Sequence, residues 1–274
     1  MPTANNDGVS ITYDDHGPAD GDVVLLLHGF PDSATMWRHQ VDALVGAGYR
    51  VLVPDQRGYG RSDKPDAVDA YHVLHLAADA LAVLDAAGVA QARVVGHDWG
   101  SPPAWLVAIM APDRVAQLVA VSVGHPRTFS SATIAQREKS WYMLLFQFEG
   151  VAERWLSDDG WQRMREWANH PDHDATVAAV ERDGSLTPGL NWYRANVAPA
   201  SLVEAPPELP PVQVPTMGVW SSGDMALLEE QMVRSAEYCA NGFRYERIDD
   251  VGHWIPLSAP ERFNELLLDF FANA

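Results

Sequence analysis

Short, largely apolar runs that recur between helix-like segments constrain this chain more than any other feature. Val23 to Leu27 and Tyr49 to Val53 are two such runs, Arg93 to Val95 is a third and Leu118 to Val123 a fourth. A strand with one wet face alternates apolar and polar residues. A continuous apolar run instead predicts burial on both faces, as in a parallel sheet covered by helices. The segments between the runs have helical periodicity. Val73 to Leu84 shows it best, placing Leu76, Ala80, Val83 and Leu84 on one face. Val9 to Tyr13 adds an alternating, β-rich strand. Strands that alternate with helices predict an α/β architecture, a doubly wound and mostly parallel central sheet flanked by helices.

The rhythm stops after Pro126. From Arg127 to Pro207 the sequence reads helical or irregular and carries Trp141, Trp155, Trp161, Trp167 and Trp192. Pro206-Pro207-Glu208-Leu209-Pro210-Pro211 has the composition of a linker. The strand–helix rhythm then resumes, with strands at Thr216 to Trp220 and Phe243 to Ile248 and helices at Leu227 to Cys239 and Pro260 to Phe271. The expected organisation is an α/β core over residues 1–126 and 208–274, interrupted by a helical lid over 127–207. A chain of 274 residues that is 47% hydrophobic can fill one core of that size. A lid over the strand ends makes an enclosed, water-poor pocket where such sheets bind ligands.

Charge narrows the partners. With 37 acidic and 19 basic residues the formal net charge is −18, so nucleic acid and anionic lipid are repelled. The longest apolar runs are far too short to span a bilayer, and Met1 to Gly8 has no apolar signal core. Cys239 is the one cysteine; it falls in the predicted helix at Leu227 to Cys239 and reads as a packing residue. A chain without an intramolecular disulfide suits a reducing compartment, and a cytoplasmic location is expected.

The chemistry concentrates at strand ends. Gly96-His97-Asp98-Trp99-Gly100 directly follows the Arg93 to Val95 strand. Small residues on either side of a central one permit a sharp strand-to-helix turn that exposes the central side chain above the sheet. Aspartate also caps helices, but the flanking glycines and the preceding strand favour the elbow. Serine is common at its centre; here the nucleophile is a carboxylate. A carboxylate displaces at a saturated carbon and leaves an ester on the enzyme. His28-Gly29-Phe30-Pro31 ends the Val23 to Leu27 strand. Such a loop, with the residue after the nucleophile, supplies the backbone N–H groups of an oxyanion hole, which makes Phe30 and Trp99 the expected donors. Hydrolysing the ester needs a base, and His253 in Val251-Gly252-His253-Trp254 follows the last predicted strand. Its orienting acid is expected between nucleophile and base. Asp224 in Ser222-Gly223-Asp224 fits best, with Asp249, Asp250, Glu229 and Glu230 as rivals. Tyr142 and Tyr193 in the helical segment could protonate a leaving alkoxide, although spacing alone reads them as packing.

In the order of its motifs the chain resembles the epoxide hydrolases of the α/β-hydrolase superfamily. The resemblance runs from about Gly8 to Phe271 and rests on His28-Gly29-Phe30-Pro31, Asp55-Gln56-Arg57-Gly58-Tyr59-Gly60, Gly96-His97-Asp98-Trp99-Gly100, Asn191-Trp192-Tyr193-Arg194 and Gly252-His253-Trp254. It implies an α/β-hydrolase fold with a cap, Asp98 as nucleophile, Asp224 and His253 as acid and base, and Tyr142 and Tyr193 as the pair that holds and protonates an epoxide oxygen. It further implies that Phe30, Trp99, Tyr142, Tyr193 and Trp254 line the site of a small apolar epoxide, and that the bond before Pro31 is cis. Ser101-Pro102-Pro103 replaces the small residue often found after the elbow, which a first helical turn tolerates.

No cofactor or metal is expected. His170, Asp172, His173 and Asp174 cluster in the helical segment but read as a solvated loop, and no HExxH or cysteine-based zinc pattern occurs. The rival reactions are few. A haloalkane dehalogenase would share the aspartate, but Phe30 offers no side-chain donor for halide. A fluoroacetate dehalogenase would carry Arg where Trp99 stands. An esterase would select serine, because acyl transfer to Asp98 gives an anhydride. A ligand receptor without turnover would keep the pocket and differ only in forming no product.

Overall fold

Continuous apolar strands need two dry faces, and the sheet supplies both. The computed structural model describes residues 1–130, 133–202 and 208–273. Its strands are β1 (Thr3–Asn6), β2 (Val9–His16), β3 (Val23–Leu27), β4 (Arg50–Pro54), β5 (Ala92–His97), β6 (Val115–Val121), β7 (Thr216–Gly223) and β8 (Phe243–Gly252). They form one sheet in the order β1-β2-β4-β3-β5-β6-β7-β8. β2 pairs antiparallel with β1 and β4, and the remaining neighbours are parallel. The helices are α1 (Arg38–Gly46), α2 (Val73–Ala86), α3 (Ser101–Met110), α4 (Pro126–Ser130), α5 (Ile134–Lys139), α6 (Trp141–Leu145), α7 (Val151–Ala168), α8 (His173–Asp183), α9 (Leu186–Asn196), α10 (Glu229–Arg234), α11 (Ile255–Ser258) and α12 (Pro260–Ala272).

Alternate residues of the same strands serve opposite cores. Leu25, Leu27, Leu52, Val94 and Leu118 pack with Ala80 and Val83 of α2 and Trp105 and Val107 of α3. Val24, Leu26, Val51, Val95 and Val119 pack with Leu44 of α1 and Phe263, Leu266 and Leu267 of α12. Each such side chain contributes on the order of 1.5–3 kcal/mol over its exposed state. A third cluster lies beyond the carboxyl ends of the strands. There Phe30, Tyr59 and Trp99 of the core meet Tyr142, Phe146, Trp192 and Tyr193 of the helical segment. No helix among the described residues is long and apolar enough to cross a membrane.

Two expectations change. β1 was not anticipated: Thr-Ala-Asn-Asn has no apolar run, and it pairs at the sheet edge through its backbone with only Ala4 buried. The expected helix at Leu227 to Cys239 is shorter. The N–H of Leu227 is taken by Asp224 Oδ1 at 2.9 Å and that of Leu228 by Gln136 Oε1 at 2.8 Å, so α10 starts at Glu229. It ends in a 3-10 turn at Ser235–Tyr238, and Cys239 is extended and bridges to Val212. α7 breaks at Asp158 to Trp161, where Asp159, Gly160 and Trp161 take positive φ. Pro206 and Pro207 of the expected linker, and with them the 207/208 boundary, lie outside the described residues.

The site depends on close backbone approach between β5 and β3. A Cβ on Gly100 would enter the carbonyl oxygens of Leu27 and His28, and one on Gly96 would enter that of Gly100. Gly100→Ala is expected to destabilise the fold by about 1–3 kcal/mol or more, because backbone yields less readily than a side chain. The measurement is the urea midpoint by circular dichroism; an unchanged midpoint would show that the turn does not press on β3.

Candidate active site

β5 delivers Asp98 at φ 51°, in the left-handed region that aspartate enters more readily than most residues. The carboxylate is buried and points back over the sheet, where a Cβ on Gly29 would strike it. The peptide before Pro31 is cis, and the Phe30 N–H donates to Asp98 Oδ1 at 2.8 Å. Trp99 follows the nucleophile as the second expected donor. Below this loop His28 is fixed at both ring nitrogens. Nε2 accepts the Gln56 N–H at 2.9 Å, which leaves the proton on Nδ1 to donate to the Gly29 carbonyl at 3.0 Å. Burial pushes the His28 pKa down, so the ring remains neutral.

His253 leaves the end of β8 and turns inward. Its Nε2 is 3.3 Å from Asp98 Oδ2 and its Nδ1 2.8 Å from Asp224 Oδ2. Asp224 is anchored through Oδ1 by the N–H groups of Ala226 at 2.8 Å and Leu227 at 2.9 Å. Burial opposes the Asp224 charge, but His253 and these two N–H groups outweigh it and hold the carboxyl below its ordinary range. Burial likewise opposes the His253 cation, and the flanking charges of Asp224 and Asp98 overcome it, raising the imidazole to about 10. The His253 carbonyl accepts from His97 Nε2 at 3.1 Å and Ser122 Oγ at 3.2 Å. The rival acids point elsewhere: Asp249 and Glu229 both pair with Arg247 at 2.7 Å.

α6 and α9 bring Tyr142 and Tyr193 over Asp98. Both are buried, with ring centroids 6.0 Å apart and edge to face. Tyr193 lies 5.0 Å from Trp99 and 5.5 Å from Phe30. Burial first, and the Asp98 charge second, push both phenols well above their ordinary pKa, so both keep their protons. α9 is tied to the core by polar contacts. The Trp192 indole donates to the Arg57 carbonyl at 3.0 Å, and Asn196 donates to the Tyr71 carbonyl at 3.0 Å while accepting the Val73 N–H at 2.8 Å.

Two residues here were not anticipated as neighbours of the site. Asp32, one beyond the cis proline, accepts the Trp254 indole N–H at 2.9 Å and pairs with His170 at 3.0 Å. The cluster around His170 is therefore solvated only in part: His170 and His173 are each 5% exposed, while Asp172 is half-buried and Asp174 exposed. Polar residues in a helical connection look wet until their partner, far away in sequence, is known. The acidic residue directly after His28-Gly29-Phe30-Pro31 was the available signal. Among the described residues no group of three or more His, Cys, Asp or Glu is placed to hold a metal ion.

Comparison with known proteins gives the arrangement its context. A family model described as alpha/beta hydrolase fold matches residues 22–260. Epoxide hydrolase A of Mycobacterium tuberculosis is 33% identical, over 97% of this chain and 95% of the relative. An AB hydrolase superfamily protein of Bacillus subtilis is 32% identical, over 98% and 96%. The crystal structure of epoxide hydrolase A from Mycobacterium thermoresistibile superposes with a TM-score of 0.84 at 31% identity, covering 100% of this chain and 99% of that one. A Bacillus megaterium epoxide hydrolase in complex with its diol product superposes with a TM-score of 0.89 at 27% identity, covering 99% and 100%.

The raised His253 pKa has a consequence for stability. In the unfolded chain histidine titrates near 6.5, and in the fold at about 10. The charged form is therefore stabilised by folding. That contribution is complete below pH ~6.5 and is lost as pH rises through about 10. Urea unfolding from pH 6 to 10 should show wild-type stability falling across this window, with a shallower fall in His253→Gln. Parallel profiles would mean that the imidazole is neutral between its two carboxylates.

Proposed function

The chain belongs to the alpha/beta hydrolase fold family, and from that premise we propose that it is an epoxide hydrolase, converting an epoxide and water to a vicinal diol through an ester on Asp98. The observation that carries the reading is a buried carboxylate at the elbow, faced from α6 and α9 by two protonated phenols. A carboxylate nucleophile calls for a saturated carbon, and paired phenol donors call for a leaving oxygen that remains attached to the product.

In this reading Tyr142 and Tyr193 hydrogen-bond the epoxide oxygen. Asp98 Oδ1 is engaged by Phe30, so Oδ2 attacks a ring carbon. The C–O bond of the ring breaks, and a tyrosine proton neutralises the alkoxide. Esterification removes the Asp98 charge, so His253 releases its resting proton, which restores the tyrosine; oriented by Asp224, the neutral imidazole then takes a proton from water, and the hydroxide adds to Cγ of Asp98. The oxyanion forms at Oδ1, where the Phe30 and Trp99 N–H groups receive it. Loss of one such donor typically raises a barrier by about 3–4 kcal/mol. Collapse breaks the ester C–O bond, the added hydroxyl passes its proton to the leaving alkoxide, and the diol is freed with Asp98 again a carboxylate and His253 again protonated. The helical segment from Arg127 to Pro207 serves as the lid that keeps bulk water from the ester. Its aromatic underside favours a small apolar epoxide, and Phe30, Trp99 and Trp254 contribute to the same lining. The single cysteine, Cys239, supports a cytoplasmic setting.

Purified protein mixed with aryl and alkyl epoxides beside chloro- and bromoalkanes should release diol and no halide. Halide without diol would transfer the same aspartate to haloalkane chemistry and remove the tyrosine pair from the mechanism. His253→Gln should slow turnover at least 100-fold and accumulate a protein species heavier by the mass of the epoxide. Free Asp98 in that variant under saturating epoxide would rule out the covalent scheme.

A further inference from the structure

Nucleophile, base, acid and phenols leave one buried carboxylate near the site without a task. Asp32 belongs to the Phe30 loop and closes it, its N–H donating to the Gly29 carbonyl at 3.0 Å. A carboxylate needed only for that turn could be satisfied within it. This one takes both of its side-chain donors from other segments. Oδ2 accepts the indole N–H of Trp254, the residue after His253, at 2.9 Å. Oδ1 accepts from His170 Nε2 at 3.0 Å, in the connection between α7 and α8. The His170 proton is placed by its other side: Nδ1 accepts the Asp172 N–H at 3.0 Å, so Nε2 carries the hydrogen. The Asp172 carboxylate in turn meets Arg38 of α1 at 2.6 Å. Ring packing follows the same line. Trp254 stands edge to face between His170, at 4.5 Å, and His253, at 5.0 Å.

We infer that His170 is a positioning residue for the second half-reaction: through Asp32 it seats Trp254 and the His253 loop, so that water activation depends on the helical segment being docked. The inference rests on the two-step reading above. The first step draws on Asp98, Tyr142 and Tyr193, whose placement comes from the elbow, α6 and α9. The second requires the imidazole to line up at once with Asp224 and a water, and displacements of about 1 Å in such a geometry can lower rates roughly 100-fold. Phe30, on the same loop as Asp32, receives the oxyanion in that second step. Both groups that Asp32 steadies therefore act when the ester is broken, whereas in the first step Phe30 only holds the carboxylate oxygen that does not attack.

The experiment takes the epoxide that wild type turns over fastest in the panel above. Single-turnover quench with mass spectrometry follows the Asp98 ester, and product analysis follows the diol. His170→Phe should form the ester within about twofold of the wild-type rate and hydrolyse it roughly tenfold more slowly, so that ester accumulates. His170→Gln, which retains a donor near the Nε2 position, should recover most of the hydrolysis rate. Asp32→Asn, which keeps the shape of the loop but can accept from only one of its two donors, should repeat the His170→Phe split and carries the test if His170→Phe does not fold. Equal slowing of both steps, no slowing of either, or a His170→Gln variant as slow as His170→Phe would overturn the inference. Wild-type turnover without any ester on Asp98 would overturn the two-step reading itself, and this inference with it.

Discussion

The left-handed backbone at Asp98 is possible because glycines stand at the positions where a Cβ would collide with the turn. Gly96 and Gly100 let the turn close on itself and on β3, and Gly29 leaves the space that the carboxylate fills. Once Asp98 is held there, the remaining distances follow. The Phe30 N–H is brought to one oxygen and His253 to the other, and the phenols of α6 and α9 face the same charge from above. The sheet supports this arrangement from both sides. Its two apolar cores fix β3, β5, β7 and β8 in register, and each of these strands ends in a loop that contributes a reacting or orienting group.

A strongly acidic chain has to decide where its buried charges go. Asp98, Asp224, Asp32, Asp55 and Asp79 are all buried, and each is met by specific donors. Asp79 pairs with the Arg57 guanidinium at 2.6 Å, and Asp55 receives the N–H of Ala34 at 3.0 Å and the guanidinium of Arg61 at 2.6 Å. These two tie down loops. The other three surround His253 or its loop, where their charges favour the imidazolium.

Much of this was legible beforehand, for physical reasons. Strands buried on both faces have no room for polar residues, so β3 to β6 announced themselves. The elbow needs small residues at fixed offsets, so Asp98 could be singled out from 37 acidic residues. Asp224 was preferred over Asp249 and Asp250 because a carboxylate adjacent in sequence cannot reach across to the imidazole, and those rivals prove exposed. What remained hidden depends on partners far away in the chain. β1 is held by backbone bonds that any side chain permits. α10 is cut short by side chains that claim its first N–H groups. His170 meets Asp32 across 138 residues, and no local pattern records that. Tyr142 and Tyr193 were read as packing from spacing and as acids only through resemblance; the structure buries both in the core within the influence of the Asp98 charge.

The shared charge of Asp98 gives the site an internal clock. In the resting state it helps to keep His253 protonated and both phenols reluctant to ionise. An ester carries no charge. In the proposed cycle, when Asp98 is alkylated, the imidazole loses one of its two anionic neighbours and lets its proton go more easily, which readies it as a base. In the same instant the phenols lose the repulsion that held their protons and become better acids, just as an alkoxide needs one. In that proposed cycle a single bond-forming event would spend the nucleophile, arm the base and sharpen the acids, so that electrostatics alone would set the order of the two half-reactions.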